Sequence, residues 1–212
     1  MSAQGRPMSI KPLIHVVDDD DSLRTSLLEL LQAAGFEAEG YESTGAFLLQ
    51  TPPDRPGCVL LDVRMPGPSG LDLQAALERQ GVALPIVFLT GHADVRTSVR
   101  AMKAGAVDFL EKPVTRETLL DALQRALARD ETQRAARERA LGDKKRLAVL
   151  TPREREIFDR IVAGKLNKQI ADDLGIALRT VKAYRAQLME KLGVGSAAEL
   201  GRLAGELRDI PP

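Results

Sequence analysis

LIHVVDDDDSLRTSLLELLQAAG, residues 13–35, decides the fold. Five aliphatic-rich residues, Leu13–Val17, run directly into four consecutive aspartates, Asp18–Asp21. An amphipathic stretch, Ser22–Ala34, follows, and Gly35 closes it. A short apolar run without alternation suits a strand buried on both faces of a parallel sheet. A glycine directly after an amphipathic segment suits a helix C-terminus. The stretch is therefore one strand–helix unit with acids at the carboxyl end of its strand.

Working outward, the same unit recurs. Apolar runs lie at Cys58–Leu61, Ile86–Leu89 and Val107–Leu110, with an alternating Phe36-Ala38-Gly40 stretch as a weaker fifth. Amphipathic segments fall between them at Thr44–Gln50, Leu71–Gln80 and Val95–Ala104, and a last one begins at Glu117. Gly81 and Gly105 stand where helix-ending glycines belong. Five such units predict a doubly wound α/β domain with five parallel strands over residues 1–128. Ligands of such sheets bind at the carboxyl ends of the strands.

After Leu127 the apolar face fades. RDETQRAARERALGDKKR, residues 129–146, is charged and alanine-rich. It reads as a solvated linker helix over 129–147 that ends near Gly142-Asp143. A seam of Leu120, Leu127 and Leu141 is too sparse for a coiled coil. From residue 148 to 212 the pattern is helical. Thr151-Pro152-Arg153-Glu154 supplies a cap, a first-turn proline and a capping-box glutamate. A short helix after Asn167, a stop at Gly175 and a longer helix over Leu178–Leu192 form a helix-turn-helix pattern. A fourth helix covers Ser196–Leu207.

Composition narrows the chemistry. The chain has 212 residues, 44% hydrophobic and 28% charged, enough to bury a core. One cysteine, Cys58, excludes a disulfide framework, and with only His15 and His92 beside it a transition-metal cage is excluded too. No apolar run nears the roughly 18 residues of a membrane span. The opening MSAQGRPMSIKP lacks a signal-peptide core. A soluble protein of a reducing cytoplasm is expected. The net charge of zero hides a balance of −5 over residues 1–128 and +4 over residues 145–212. An acidic part joined to a basic part suggests two jobs, the second on a polyanion.

The residues at the strand ends belong together. Strand one ends in Asp18–Asp21, strand three in Asp62, strand four in Thr90, and strand five in Lys112-Pro113. Clustered carboxylates repel one another unless a cation sits among them, and oxygen ligands of this kind select Mg²⁺. A lysine and a threonine hydroxyl on the same rim cradle an anion. The set points to phosphoryl transfer onto a carboxylate. Singly, each residue has a plainer reading: Asp18–Asp21 as helix caps, Asp62 as a loop acid, Lys112 as surface. Four strand ends in register favour the shared site.

Four stretches now resemble the receiver domain of two-component response regulators: HVVDDDDSLR (15–24), LLDVRMPGPSGLDL (60–73), IVFLTGHADV (86–95) and AMKAGAVDFLEKP (101–113). Residues 150–194 resemble the helix-turn-helix of LuxR/FixJ-type regulators. The resemblance covers nearly the whole chain and implies a CheY-like receiver followed by a small all-α DNA-binding domain. It implies Asp62 as phospho-acceptor. Asp19, Asp62 and the main-chain carbonyl of Arg64 would hold Mg²⁺, with Asp18 acting through water. Thr90 and Lys112 would bind the phosphoryl group, and Phe109 falls at the aromatic switch position. His92 lies near the site as a loop residue, while His15 and Cys58 read as packing. Val99 and Lys103 match the family's dimer face. The implied partners are a sensor histidine kinase, a second copy of the chain, double-stranded DNA and RNA polymerase, with no membrane. The chain would accept a phosphoryl group and hydrolyse its own aspartyl phosphate without being a turnover enzyme.

In the DNA-binding part, the longer helix turns Arg179, Thr180, Lys182, Ala183, Arg185 and Ala186 away from its Val181/Leu188/Leu192 face. Such a helix lies in the major groove. The resemblance implies Lys182, Ala183 and Ala186 at the bases, and Arg179 and Thr180 nearer the backbone. Lys168 suits a phosphate contact. Two departures stand out: Ala177-Leu178 replaces the family's frequent Ser-Pro, and Tyr184 replaces its usual histidine. The rival from another class is a haloacid-dehalogenase-like phosphatase, with Asp18, Asp20, Thr90 and Lys112 in its roles. It lacks the required acidic pair after Lys112 and leaves Asp62 unexplained. A receiver whose helical tail only docks protein is a second rival, disfavoured by the helix-turn-helix pattern and the basic excess.

Overall fold

The structure, a computed structural model, describes residues 10–50, 55–91 and 94–205. The chain divides into two compact units, residues 1–134 and 135–212.

In the first unit, five strands form one parallel sheet of order β2-β1-β3-β4-β5. They are β1 (Leu13–Val17), β2 (Glu37–Tyr41), β3 (Gly57–Leu61), β4 (Ile86–Thr90) and β5 (Asp108–Glu111). Between them run α1 (Asp21–Ala33), α2 (Thr44–Gln50), α3 (Gly70–Arg79) and α4 (Val95–Lys103), and α5 (Arg116–Ala148) follows. Alternate strand residues feed opposite layers, because side chains alternate across a strand. Ile14, Val16, Leu60 and Leu89 pack with Leu27 and Leu31 of α1 and Leu119 and Leu123 of α5. Val17, Val59, Leu61 and Phe88 pack with Phe47 of α2, Leu73 of α3 and Ala101 of α4. With both faces covered, the strands read as apolar runs.

Most boundaries fall within a residue of those expected, and Thr90 closes β4. The linker differs. Instead of stopping near Gly142-Asp143, α5 continues to Ala148. One internal glycine costs a helix only about 1 kcal/mol. Beyond it Asp143 and Leu147 are buried, Leu147 in the apolar core of the second unit. Nor is the stretch fully solvated. Asp130 is 3% exposed and accepts a hydrogen bond from the Gly57 amide at 3.0 Å and an ion pair from Arg134 at 3.2 Å.

In the second unit, α6 (Pro152–Val162), α7 (Asn167–Leu174), α8 (Leu178–Leu192) and α9 (Ala197–Gly205) enclose Ile157, Phe158, Ile170, Val181, Leu188 and Leu200. Thr151 and Glu154 form the expected capping box. Glu154 also binds Lys191 of α8 at 2.8 Å, which holds its carboxyl down at about 2. Among the described residues, no helix is long and apolar enough to cross a membrane.

Of the two residues read as packing, His15 carries more than packing and Cys58 does not. His15 is buried, its Nδ1 2.9 Å from the Tyr41 hydroxyl and its ring edge-on to Phe47. Burial lowers its pKa from 6.5 to about 4. The unfolded chain therefore takes up a proton below about pH 6.5 while the fold resists it. The His15 contribution is complete above pH 6.5 and is lost as the pH falls towards 4. We expect the first unit to lose on the order of 2 kcal/mol from this group by pH 5. Denaturant melts of wild type and His15→Leu between pH 7 and 5 should diverge by that amount; parallel losses would show that another group controls the acid limb. Cys58 is buried with its thiol pushed up to about 12, chiefly by burial, so it is inert towards oxidants.

Candidate functional site: an acidic pocket and a basic helix

The sheet register builds the pocket. Val17 pairs with Leu61, so the next residues, Asp18 and Asp62, leave neighbouring strands side by side. The Asp62 amide donates to the Val17 carbonyl at 2.9 Å, and the Asp18 amide to the Tyr41 carbonyl at 3.1 Å. On the far side, the Lys112 amide donates to the Thr90 carbonyl at 2.8 Å. This link joins the ends of β4 and β5 and sends the lysine back over the rim. Its ammonium donates to Asp18 Oδ2 at 2.7 Å and Asp62 Oδ2 at 2.8 Å. Burial alone would lower the Lys112 pKa, but the two carboxylate bonds outweigh it and raise it. The lysine is a fixed positive charge.

Asp18 and Asp62 are only 2% and 9% exposed, and Thr90 is buried. Oxygens of Asp18, Asp19 and Asp62 lie within 4.8 Å of one another. Three carboxylates against one ammonium leave excess negative charge in a partly dry site, which like charges resist. Asp19 is exposed, and among the described residues its carboxylate has no hydrogen bond to spend on anything else. All donors are hard oxygens. The residues present fit a small divalent cation.

The other expected residues fall as follows. The Arg64 amide donates to Asp62 Oδ1 at 3.1 Å, placing the following chain against that carboxylate. Phe109 is half-buried, in register with Phe88, their rings 5.8 Å apart. Val99 and Lys103 are exposed on α4, with Val95 and Met102. His92 lies outside the described residues.

Three contacts escaped the sequence reading. Arg24 of α1 donates to the Asp18 carbonyl at 2.7 Å and to Asp21 at 2.5 Å. Gly70 opens α3 so close to the end of β3 that a Cβ there would lie 2.2 Å from the Asp62 carbonyl oxygen. Gln74, buried on α3, donates to the Ala101 and Ala104 carbonyls at the end of α4 at 3.2 and 3.0 Å. Only the Ser-Gly at 69–70, after the Pro66–Pro68 turn, hinted at any of these.

In the second unit, α8 exposes Arg179, Lys182, Ala183 and Ala186; Thr180 and Arg185 are half-buried. Arg185 donates to Asn167 Oδ1 at 3.0 Å, tying α8 to the start of α7, where Lys168 is exposed. Tyr184 packs on the core. Ala177 occupies the N-cap with extended backbone and no side-chain bond. A serine cap is worth about 1 kcal/mol. Ala177→Ser should therefore raise the melting point of the second unit by roughly 4–8 °C and leave its DNA sequence preference unchanged. If α8 reads DNA as the resemblance implies, Lys182→Ala should hold stability and lose about 1–3 kcal/mol on a specific duplex alone. Calorimetry plus titration with specific and random duplexes checks both; equal losses on the two duplexes would make Lys182 a phosphate contact.

Known proteins resemble nearly the whole chain. Residues 14–124 match the response regulator receiver domain, and residues 148–204 match the bacterial regulatory proteins of the luxR family. Nodulation protein W of Bradyrhizobium diazoefficiens is 43% identical over 199 residues, 94% of this chain and 88% of that one. The transcriptional regulatory protein FixJ of Azorhizobium caulinodans is 43% identical over 191 residues, 90% of each. Among solved structures, that of the response regulator StyR superposes with a TM-score of 0.79 at 44% identity, covering 92% of this chain and 99% of that one.

Proposed function

Because the chain belongs to the LuxR/FixJ-type two-component response regulators, which are transcription regulators and not turnover enzymes, we propose that phosphorylation of Asp62 gates its binding to DNA. The clustering of Asp18, Asp19, Asp62 and Lys112 at adjacent strand ends is the observation that carries this reading.

An Asp62 carboxylate oxygen attacks the phosphorus of a phosphohistidine on a partner kinase. The new P–O bond forms as the P–N bond breaks, and the imidazole leaves with the electron pair. Asp19, Asp62 and the Arg64 carbonyl would hold Mg²⁺, with Asp18 acting through water, and the cation would offset the charge of the phosphoryl oxygens. Lys112, already aimed at Asp62, pairs with the arriving group, and the Thr90 hydroxyl bonds it. The rival phosphatase chemistry has no use for this position of Asp62.

Thr90 and Phe109 then report the new charge to the face that bears Val99 and Lys103, favouring a dimer. A dimer sets two α8 helices on half-sites about one DNA turn apart. Lys182, Ala183 and Ala186 read bases, while Lys168, Arg179 and Thr180 hold the backbone. RNA polymerase is the downstream partner, and the cytoplasm is the place of action. Acetyl phosphate with Mg²⁺ should add one phosphoryl group by intact mass, and treated protein should bind genomic DNA fragments more tightly at fixed salt. An adduct of equal yield under a chelator, or unchanged DNA affinity, would refute this reading.

A further inference from the structure

We infer that Arg24 is a positioning residue for the acidic loop, and that Gly40 lacks a side chain to let it act; the inference rests on reading Asp18, Asp19 and Asp62 as a cation pocket. Four successive aspartates form a segment that repels itself, and Asp19, the exposed ligand, lies inside it. Something must hold its backbone in the absence of a cation.

Arg24 spans that segment. One guanidinium nitrogen donates to the Asp18 carbonyl and the other to the Asp21 carboxylate, so one rigid planar group fixes both ends of the loop that carries Asp19. The two contacts are unequal. Asp21 is 87% exposed, so that pair contributes little by itself. The Arg24 side chain is 14% exposed, and its charge-assisted bond to a backbone carbonyl sits in a partly dry setting. Arg24 touches no reacting group; it fixes the main chain from which Asp18 and Asp19 project.

A second observation, on another element, points the same way. Gly40 lies in β2, where strand propensity alone would favour a branched or aromatic residue. A Cβ there would stand 3.1 and 3.2 Å from Cδ and Cγ of Arg24 and 2.9 Å from Leu28 Cδ1. The Arg24 stem crosses the strand through the space the glycine leaves. A bare position in a strand marks such close approach.

Arg24→Lys keeps the charge but not the fork, and Gly40→Val keeps Arg24 intact but displaces its stem. Loss of support behind metal ligands typically weakens binding about 10–100-fold. In calorimetric titrations of full-length protein with Mg²⁺ alone, each variant should bind about tenfold more weakly. Gly40→Val in the Arg24→Lys background should add no comparable loss. Hydrogen exchange of residues 18–21 without Mg²⁺ should be faster in both variants, while melting points stay within a few degrees. Variants that bind Mg²⁺ within twofold of wild type, or exchange that stays the same, overturn the positioning role. If wild type itself binds no Mg²⁺, the reading of the pocket falls, and the exchange measurement alone decides whether Arg24 orders the loop.

Discussion

Asp62→Asn should reduce phosphoryl incorporation from acetyl phosphate and Mg²⁺ to background, a loss on the order of 10⁴-fold or more, as expected when a covalent nucleophile is removed. The amide keeps the shape of the carboxylate, so packing beneath the pocket is untouched, but its single oxygen can accept from only one of the Arg64 amide and Lys112, which bond opposite oxygens of Asp62. What disappears is the anionic oxygen proposed to attack phosphorus. The substitution also relieves repulsion from Asp18 and Asp19, so the cation-free protein should melt no lower than wild type. Intact mass and a thermal melt on one preparation check both statements. A phosphoryl adduct that survives in the variant would move the acceptor to Asp18 or Asp19.

Gly70→Ala should be the most damaging conservative change in the first unit. The added methyl would meet the Asp62 carbonyl oxygen at 2.2 Å and Leu61 Cγ at 3.1 Å. The oxygen belongs to the backbone at the end of a central strand, so no side chain can swing aside. The first turn of α3 must retreat instead, stretching the bond from the Gly70 amide to the Val63 carbonyl, now 3.0 Å. Forcing a group into packed space costs typically 1–3 kcal/mol. Because rigid backbone takes the strain, we expect about 3 kcal/mol, or a melting point lower by roughly 10 °C. Phosphoryl acceptance should fall as well, since the strain enters at Asp62, the proposed acceptor. Alanine at Ala75, exposed one turn further along α3, offers the comparison: Ala75→Gly should cost only about 1 kcal/mol. A Gly70→Ala variant as stable as wild type would mean that α3 can slide freely over the strand end.

The parts legible in the sequence share one property: they repeat or lie at a fixed place in a repeat. Leu13–Val17 and Ile86–Leu89 announce themselves because a strand covered on both faces needs no polar residue. Asp18, Asp62, Thr90 and Lys112 are found by standing at the ends of such strands. Arg24, Gly40, Gln74 and Asp130 have no such marker. Each is a polar or bare residue in an ordinary pattern, and its meaning comes from a partner brought close only by folding: the Asp18 carbonyl, the Arg24 stem, the end of α4, the Gly57 amide. The course of α5 was missed for a related reason. Gly142 is a local signal of about 1 kcal/mol, and burial of Leu147 in the core of the second unit beyond it outweighs that signal. Arg185 was expected to point outward from α8 and is half-buried on Asn167, a pairing between two helices that neither pattern reveals.

Asp130 bears on how such proteins can be recombined. The apolar pattern of the first unit ends at Leu127, yet the carboxylate that satisfies the amide at the foot of the central strand lies three residues later, braced by Arg134. A chimera that joins this receiver to a foreign effector at residue 128 would discard that brace and leave the Gly57 amide buried without its acceptor, a cost of about 1–3 kcal/mol before the new partner is considered. Splicing after Arg134 carries the brace along. Gene fusions that exchange output domains would therefore find their tolerated breakpoint inside the uninterrupted helix, nearly three turns beyond residue 124, where the family likeness of the receiver ends.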